Sequence, residues 1–197
     1  MIATKLKIRY YGDPVLRKKS TLIKDVGPSE RMLAQSMLLT MHHYKGIGLA
    51  APQVGINHRM LVIDIGEGPI VVINPYIVKR SGSNVLEEGC LSLPELSVKV
   101  KRPLKIWVSF LDEHGRRVEK VYQDLLARVF LHETDHLNGK LIIDYANIAQ
   151  RIKMKNQLKS IRQMVKEGKE YIPKPDPEKQ VASTQRKIEE QKHGSSR

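Results

Sequence analysis

Cysteine occurs once in this 197-residue chain, at Cys90, which excludes an intramolecular disulfide framework. Long apolar runs are missing, and nothing approaches the roughly eighteen residues of a membrane span. The opening stretch from Met1 to Lys7 alternates charged and apolar residues and lacks the apolar core of a signal peptide. These absences predict a cytoplasmic protein with no membrane partner. Internal repeats are also lacking. Acidic residues are scarce beside basic ones, 21 against 34, for a formal net charge of +13. The imbalance is uneven, since residues 151–166 hold six basic groups and no acidic one. A basic excess commonly forms a solvated face, but at this density attraction to a polyanion such as RNA is a second reading.

What is present suits one soluble domain. Hydrophobic residues make up 41% and charged residues 28% of the chain, ordinary values for a globular protein with a full core. The folded domain is expected over residues 1–170. Residues 171–197 are polar, proline-punctuated near Pro173, Pro175 and Pro177, and expected to be a flexible tail.

Patterning divides that domain into elements. Residues 6–11 read as a short edge strand. A helix is expected from Pro28-Ser29-Glu30 to residue 45, with Leu33, Met37, Met41 and Tyr44 as its apolar stripe. Strands are expected over Met60–Ile65, Ile70–Val78, Leu96–Lys101, Leu104–Leu111 and Arg116–Gln123, with Trp107 in the core and a bend at Asn74-Pro75. A second helix should start near Asp124 and stop at Gly139. Leu141–Ile143 reads as another short strand, and a basic amphipathic helix follows to about Lys169. The class is therefore α+β: antiparallel sheets packed around a central helix, with an N-terminal helix and a basic C-terminal one.

The central helix ends in His132-Glu133-Thr134-Asp135-His136. Residues four apart share a helix face, so His132 and His136 can grip one metal ion. Glu133, next to the first histidine, has the carboxylate that could take a proton from a metal-bound water. The plainer reading is a helix with two hydrogen-bonded histidines and a solvent-facing glutamate. A metal site would need a third ligand. Cys90, in the loop Glu88-Gly89-Cys90-Leu91-Ser92-Leu93-Pro94, offers a thiolate if the fold brings it within reach. A third segment, Gly46-Ile47-Gly48-Leu49-Ala50-Ala51-Pro52-Gln53-Val54-Gly55, is rich in small residues and admits close backbone approach. It lacks the Lys-Ser/Thr of a phosphate loop.

Taken together, GIGLAAPQVG at 46–55, EGCLSLP at 88–94 and HETDHLNG at 132–139 resemble the peptide deformylases, and the similarity extends more loosely over about residues 5–165. The resemblance implies a metal-dependent hydrolase that removes the formyl group from N-formylmethionyl peptides and releases formate. It implies Cys90, His132 and His136 as metal ligands, with Fe2+ preferred and Ni2+, Co2+ or Zn2+ accepted. Glu133 becomes the general acid–base, while Gln53 and the backbone N–H of Leu91 become oxyanion donors. Leu125, Val129 and Gly48 are candidates to line a methionine pocket, and Ile47 and Gly89 to pair with the peptide backbone. Relatives are thought to meet the ribosome through a C-terminal extension, which suggests that role for residues 148–169. A monomer is expected.

Three positions depart from the family pattern. Leu131 stands where many relatives have glutamine, Glu95 where glycine is common, and Arg128 alters the same helix face. Two other functions compete. A zinc-dependent peptidase explains HETDH but leaves the other two motifs unused, and an RNA-associated module explains the charge but not the metal motif.

Overall fold

A computed structural model describes residues 2–171; the rest of the expected tail, residues 172–197, lies outside the described residues. The described elements are α1 (Pro28–His43), β1 (Gly48–Ala50), β2 (Met60–Ile63), β3 (Ile70–Ser81), β4 (Asn84–Cys90), β5 (Leu93–Arg102), β6 (Lys105–Leu111), β7 (Arg117–Gln123), α2 (Asp124–Leu137) and α3 (Ile148–Lys166). Short 3-10 turns at Pro14–Arg17, Ala51–Val54 and Ile142–Tyr145 join them.

Five strands form an antiparallel sheet in the order β1-β2-β3-β6-β7, and β4 pairs with β5 as a separate hairpin. The fold is α+β. The central helix α2 lies between the two sheets because its faces differ. Ala127, Phe130, Leu131 and Leu137 pack against Leu61, Ile63, Val72, Ile106, Val108 and Phe110 of the five-stranded sheet. The opposite face carries Arg128 and His132, which bond to the β4–β5 hairpin. Phe130, Leu61, Ile63 and Ile106 are among the largest fully buried side chains, and burial of each contributes roughly 1.5–3 kcal/mol. The register of α2 is thereby fixed by its apolar face, and its polar face is aimed with it.

Both ends of α2 are sharply defined. Asp124 follows the last residue of β7 directly, in a left-handed conformation (φ 50°), and its N–H bonds to Leu104 O at 2.8 Å. Gly139 ends the helix at φ 71°, where an added Cβ would stand 2.6 Å from Arg17 O, so only glycine fits.

A second core cluster joins Met37 and Met41 of α1, Val98 and Val100 of β5, and Met154 and Ile161 of α3. Asn147 caps α3, accepting from Gln150 N at 2.9 Å while Gln150 Oε1 accepts from Asn147 N at 2.9 Å.

Several expectations are corrected. Residues 6–11 form no strand. Ile8 and Tyr10 are buried in alternation, but the backbone bonds go to two different loops, Arg9 N to Gln53 O at 2.7 Å and Tyr11 N to Ser92 O at 2.9 Å. Leu141–Ile143 is not a strand either. Asp144 Oδ2 accepts from Leu141 N at 2.9 Å and closes a 3-10 turn. Trp107 is outside the core. Its neighbours Ile106 and Val108 point inward, so strand alternation turns the indole outward, where Lys79 and Lys105 ammonium groups lie 5.0 Å and 5.2 Å from the ring centroid. The Asn74-Pro75 bend is a register shift within β3, where Asn74 (φ 52°) clasps Ile23 by two bonds.

Candidate metal centre and active site

Three segments distant in sequence meet at one cleft of about 670 Å³. Cys90 ends β4, where the pairing with β5 slips by a bulge between Gly89 and Cys90, and such a bulge re-aims a side chain. Its Sγ lies 3.2 Å from His136 Nε2. Single donor atoms of Cys90, His132 and His136 all lie within 4.8 Å of one another, and the two imidazole centroids are 5.1 Å apart. One thiolate and two imidazoles at this spacing suit a divalent transition metal with a position left for water.

The ligands are held by a buried charge network. His132 Nδ1 lies 3.1 Å from Glu88 Oε2, so the carboxylate fixes the Nδ1–H tautomer and leaves Nε2 for a metal. Arg102 grips Glu88 with Nε and Nη2, both at 2.9 Å, and reaches Asp135 Oδ2 with Nη1 at 2.6 Å. Arg128 Nη1 adds a 2.5 Å bond to Glu88 Oε1. Burial would raise the Glu88 pKa, but contacts with His132 and Arg102 outweigh it and hold the carboxyl at about 2. Glu88 is thus ionised throughout the physiological range.

The histidines differ. Burial pushes His132 down, yet contacts with Cys90 and Glu88 outweigh burial and hold it well above the usual histidine range. A metal ion competes with that proton for the same ring. Burial, then the positive neighbours His132 and Arg102, push His136 well below the usual range, so it stays neutral. Its Nδ1 is buried without a hydrogen-bond partner among the described residues.

Glu133 is buried, and burial raises its carboxyl to about 7. Oε2 has no hydrogen-bond partner among the described residues. Oε1 lies against β1: a Cβ at Gly48 would be 2.5 Å from it and 2.7 Å from Val129 Cγ1. Gly48 therefore leaves room for the carboxylate. Gln53 is anchored through Oε1, which accepts from Ala50 N at 2.7 Å. That turns Nε2 toward Cys90 Sγ at 3.6 Å and Ser92 Oγ at 3.4 Å.

Of the residues singled out in the sequence, Ile47, Gly48, Gln53, Gly89, Cys90, Leu91, Leu125, Val129, His132 and Glu133 all line this cleft. His136 is behind it, against Cys90. Ile47 and Leu125 stand at the rim, 44% and 49% exposed, so they can meet an arriving ligand. Sequence reasoning missed Glu88, Arg102 and Asp135 as supports of the ligands. Glu88 and Asp135 lay inside two motifs already in view; Arg102 carried no signal, since a strand-end arginine ordinarily faces water.

The chain matches the model of the polypeptide deformylase family over residues 5–152. It is 45% identical over 161 residues to a peptide deformylase of Thermotoga petrophila, spanning 81% of this chain and 98% of that relative. A crystal structure of peptide deformylase from Thermotoga maritima superposes with a TM-score of 0.71 at 46% identity, covering 73% of this chain and 98% of the other. The peptide deformylase of Thermus thermophilus gives a TM-score of 0.77 at 40% identity, covering 80% of this chain and 98% of the other.

Proposed function

Because the chain belongs to the polypeptide deformylase family, we propose the following division of labour among its residues. The enzyme is a metal-dependent hydrolase that removes the N-terminal formyl group from formylmethionyl polypeptides. The observation carrying the residue assignment is that the donors of Cys90, His132 and His136 lie within 4.8 Å of one another beside the buried carboxyl of Glu133.

Cys90, His132 and His136 hold the cation, which when bound lowers the pKa of water and polarises a carbonyl. Glu133 takes a proton from water as its oxygen bonds to the formyl carbon, and delivers that proton to the amine nitrogen as the C–N bond breaks, so formate leaves. Gln53 Nε2 and the Leu91 backbone N–H donate to the oxygen that becomes negative. Anchoring of Gln53 Oε1 by Ala50 N supports that role, because the donor is oriented before substrate arrives. Ile47 and Gly89 pair with the peptide backbone, and Gly48, Leu125 and Val129 border the methionine side chain. Formate release from a formyl-methionyl tripeptide tests this; internal peptide cleavage without formate would return the assignment to a zinc peptidase.

Ferrous iron is the ion we assign, with nickel, cobalt or zinc able to replace it, since a mixed nitrogen–sulfur set suits all four. Metal analysis after anaerobic purification is the check. Residues 1–170 are taken as the catalytic domain, residues 171–197 as a tail, the enzyme as a cytoplasmic monomer, and α3 as the ribosome contact. Support for the last is the basic surface of α3, on which Lys153, Lys155, Lys159 and Lys166 are exposed. Ile148 and Ile152, 79% and 67% exposed, adjoin it. No helix among the described residues is long and apolar enough to cross a membrane.

A further inference from the structure

The cleft-facing stripe of α2 contains Leu125, Arg128, Val129, His132 and Glu133, residues three and four apart that share one face. Arg128 therefore lines the cleft beside two apolar side chains and a metal-ligand candidate. Arg128 is only 6% exposed. Its Nη1 donates to Glu88 Oε1 at 2.5 Å and Val100 O at 3.1 Å, and its Nη2 to Asn84 O at 3.2 Å and Asn84 Oδ1 at 2.6 Å. Those bonds occupy both terminal nitrogens. Nε–H makes no hydrogen bond among the described residues. Glu88 Oε1 accepts from Nη1, so Nε–H is the one donor of this guanidinium that the described residues leave unused.

A wholly apolar pocket judges a first side chain by size and shape alone. A wall with a donor also reads what the side chain carries near its end. The thioether sulfur of methionine is a weak acceptor, whereas the oxygen of methionine sulfoxide is a strong one on a side chain of nearly the same shape. We propose that Arg128 is a specificity-determining residue through which this enzyme also deformylates peptides beginning with N-formylmethionine sulfoxide, the guanidinium donating to the sulfoxide oxygen. This rests on the deformylase reading above. The reaction is unchanged: water adds to the formyl carbon, the C–N bond breaks, the amine takes the proton, and the sulfoxide is not reduced.

The test uses the full-length, metal-loaded enzyme and three formyl tripeptides that differ only in the first residue: methionine, methionine sulfoxide and norleucine. Norleucine keeps the shape and has no acceptor. For the unaltered enzyme, kcat/KM for the better sulfoxide diastereomer is expected within tenfold of methionine and above norleucine. In R128M the sulfoxide-to-norleucine ratio is expected to fall at least tenfold. The ratio is taken within one preparation, so it is independent of how much of the variant is folded. A wild-type sulfoxide value below norleucine, or an unchanged ratio in R128M, overturns the proposal. If R128M yields no active protein, the wild-type ratio alone decides. Failure of all three peptides to release formate would instead overturn the deformylase reading.

Discussion

Glu88 Oε2 lies 3.1 Å from His132 Nδ1, while two buried arginines bond the same carboxylate. The metal-ligand candidate is thus oriented from β4, and β4 is tied through Arg102 to Asp135, inside the His-Glu-Thr-Asp-His segment itself. Tyr145 OH closes the network on Asp135 Oδ2 at 2.7 Å. Every charge in it has an opposite within bonding distance, the condition under which buried ions are tolerated.

Removing the central carboxylate should therefore disturb both stability and the metal. Glu88→Ala leaves Arg102 and Arg128 without their shared partner, a loss of about 3–5 kcal/mol for a buried pair. Glu88→Gln keeps the volume, and loss of the charged acceptor for His132 should weaken metal binding about 10–100-fold. Urea unfolding reads the first and chelator competition the second. Wild-type metal affinity in Glu88→Gln would show that the contact does not hold the ligand.

Glu133 and Cys90 should separate cleanly. Glu133→Ala is expected to retain metal and lose about 10²–10⁴-fold in formate release, whereas Cys90→Ser should lose metal as well. Elemental analysis beside the formate assay distinguishes them. Full metal occupancy in Cys90→Ser would remove Cys90 from the ligand set.

Gly48 makes the carboxylate's position dependent on a missing side chain. Gly48→Ala would put Cβ 2.5 Å from Glu133 Oε1 and 2.7 Å from Val129 Cγ1. A displacement of this scale can cost about 10²-fold in rate, while overpacking destabilises by about 1–3 kcal/mol. In the Glu133→Ala background the same change should add little further loss of activity. An equal loss in both backgrounds would mean the methyl blocks the peptide rather than moving the carboxylate.

The legibility of the site followed its chemistry. One-face spacing put His132 and His136 on α2 with Glu133 beside them, while Cys90 and Gln53 were singled out through the resemblance of the three motifs to the deformylases. What escaped was decided by tertiary partners. Arg128 showed in the sequence only as a change on the helix face, not as a residue bonded to the β4–β5 hairpin, and nothing in the 88–94 motif showed that β4 would turn Glu88 inward. The strand β4 itself was hidden by its charged, glycine-containing end. Residues 6–11 failed in the opposite sense: alternation marked which side chains are buried, yet a strand also needs a neighbouring ladder, and their amides bond to two loops.

Asp144 gives a pH prediction away from the cleft. Burial raises its carboxyl, but Arg17, bonded at 2.6 Å and 3.0 Å, outweighs burial, with a further bond from Leu141 N, and holds it below the ordinary value of 3.8. A depressed folded pKa contributes stability above the unfolded value and loses it as pH falls through the folded one. The contribution should be constant near neutrality and disappear below about pH 4. Thermal midpoints of wild type and Asp144→Asn should therefore differ at pH 7 and converge on acidification. A difference that persists unchanged at pH 3 would assign the effect to packing.

The basic helix makes the last prediction. Lys155 and Lys159 are exposed and one turn apart on α3, and α3 meets the rest of the fold through Met154 and Ile161. Reversing both charges should leave that packing intact and remove two phosphate contacts if the helix lies on ribosomal RNA. Each contact adds roughly 0.7–0.9 to the slope of log affinity against log salt. The Lys155→Glu, Lys159→Glu protein should therefore co-sediment more weakly with ribosomes, with a shallower salt dependence, while free tripeptides are deformylated as before. Unchanged co-sedimentation at matched salt would count against this face. Weaker co-sedimentation with an unaltered salt slope would count against direct phosphate contacts by these two lysines.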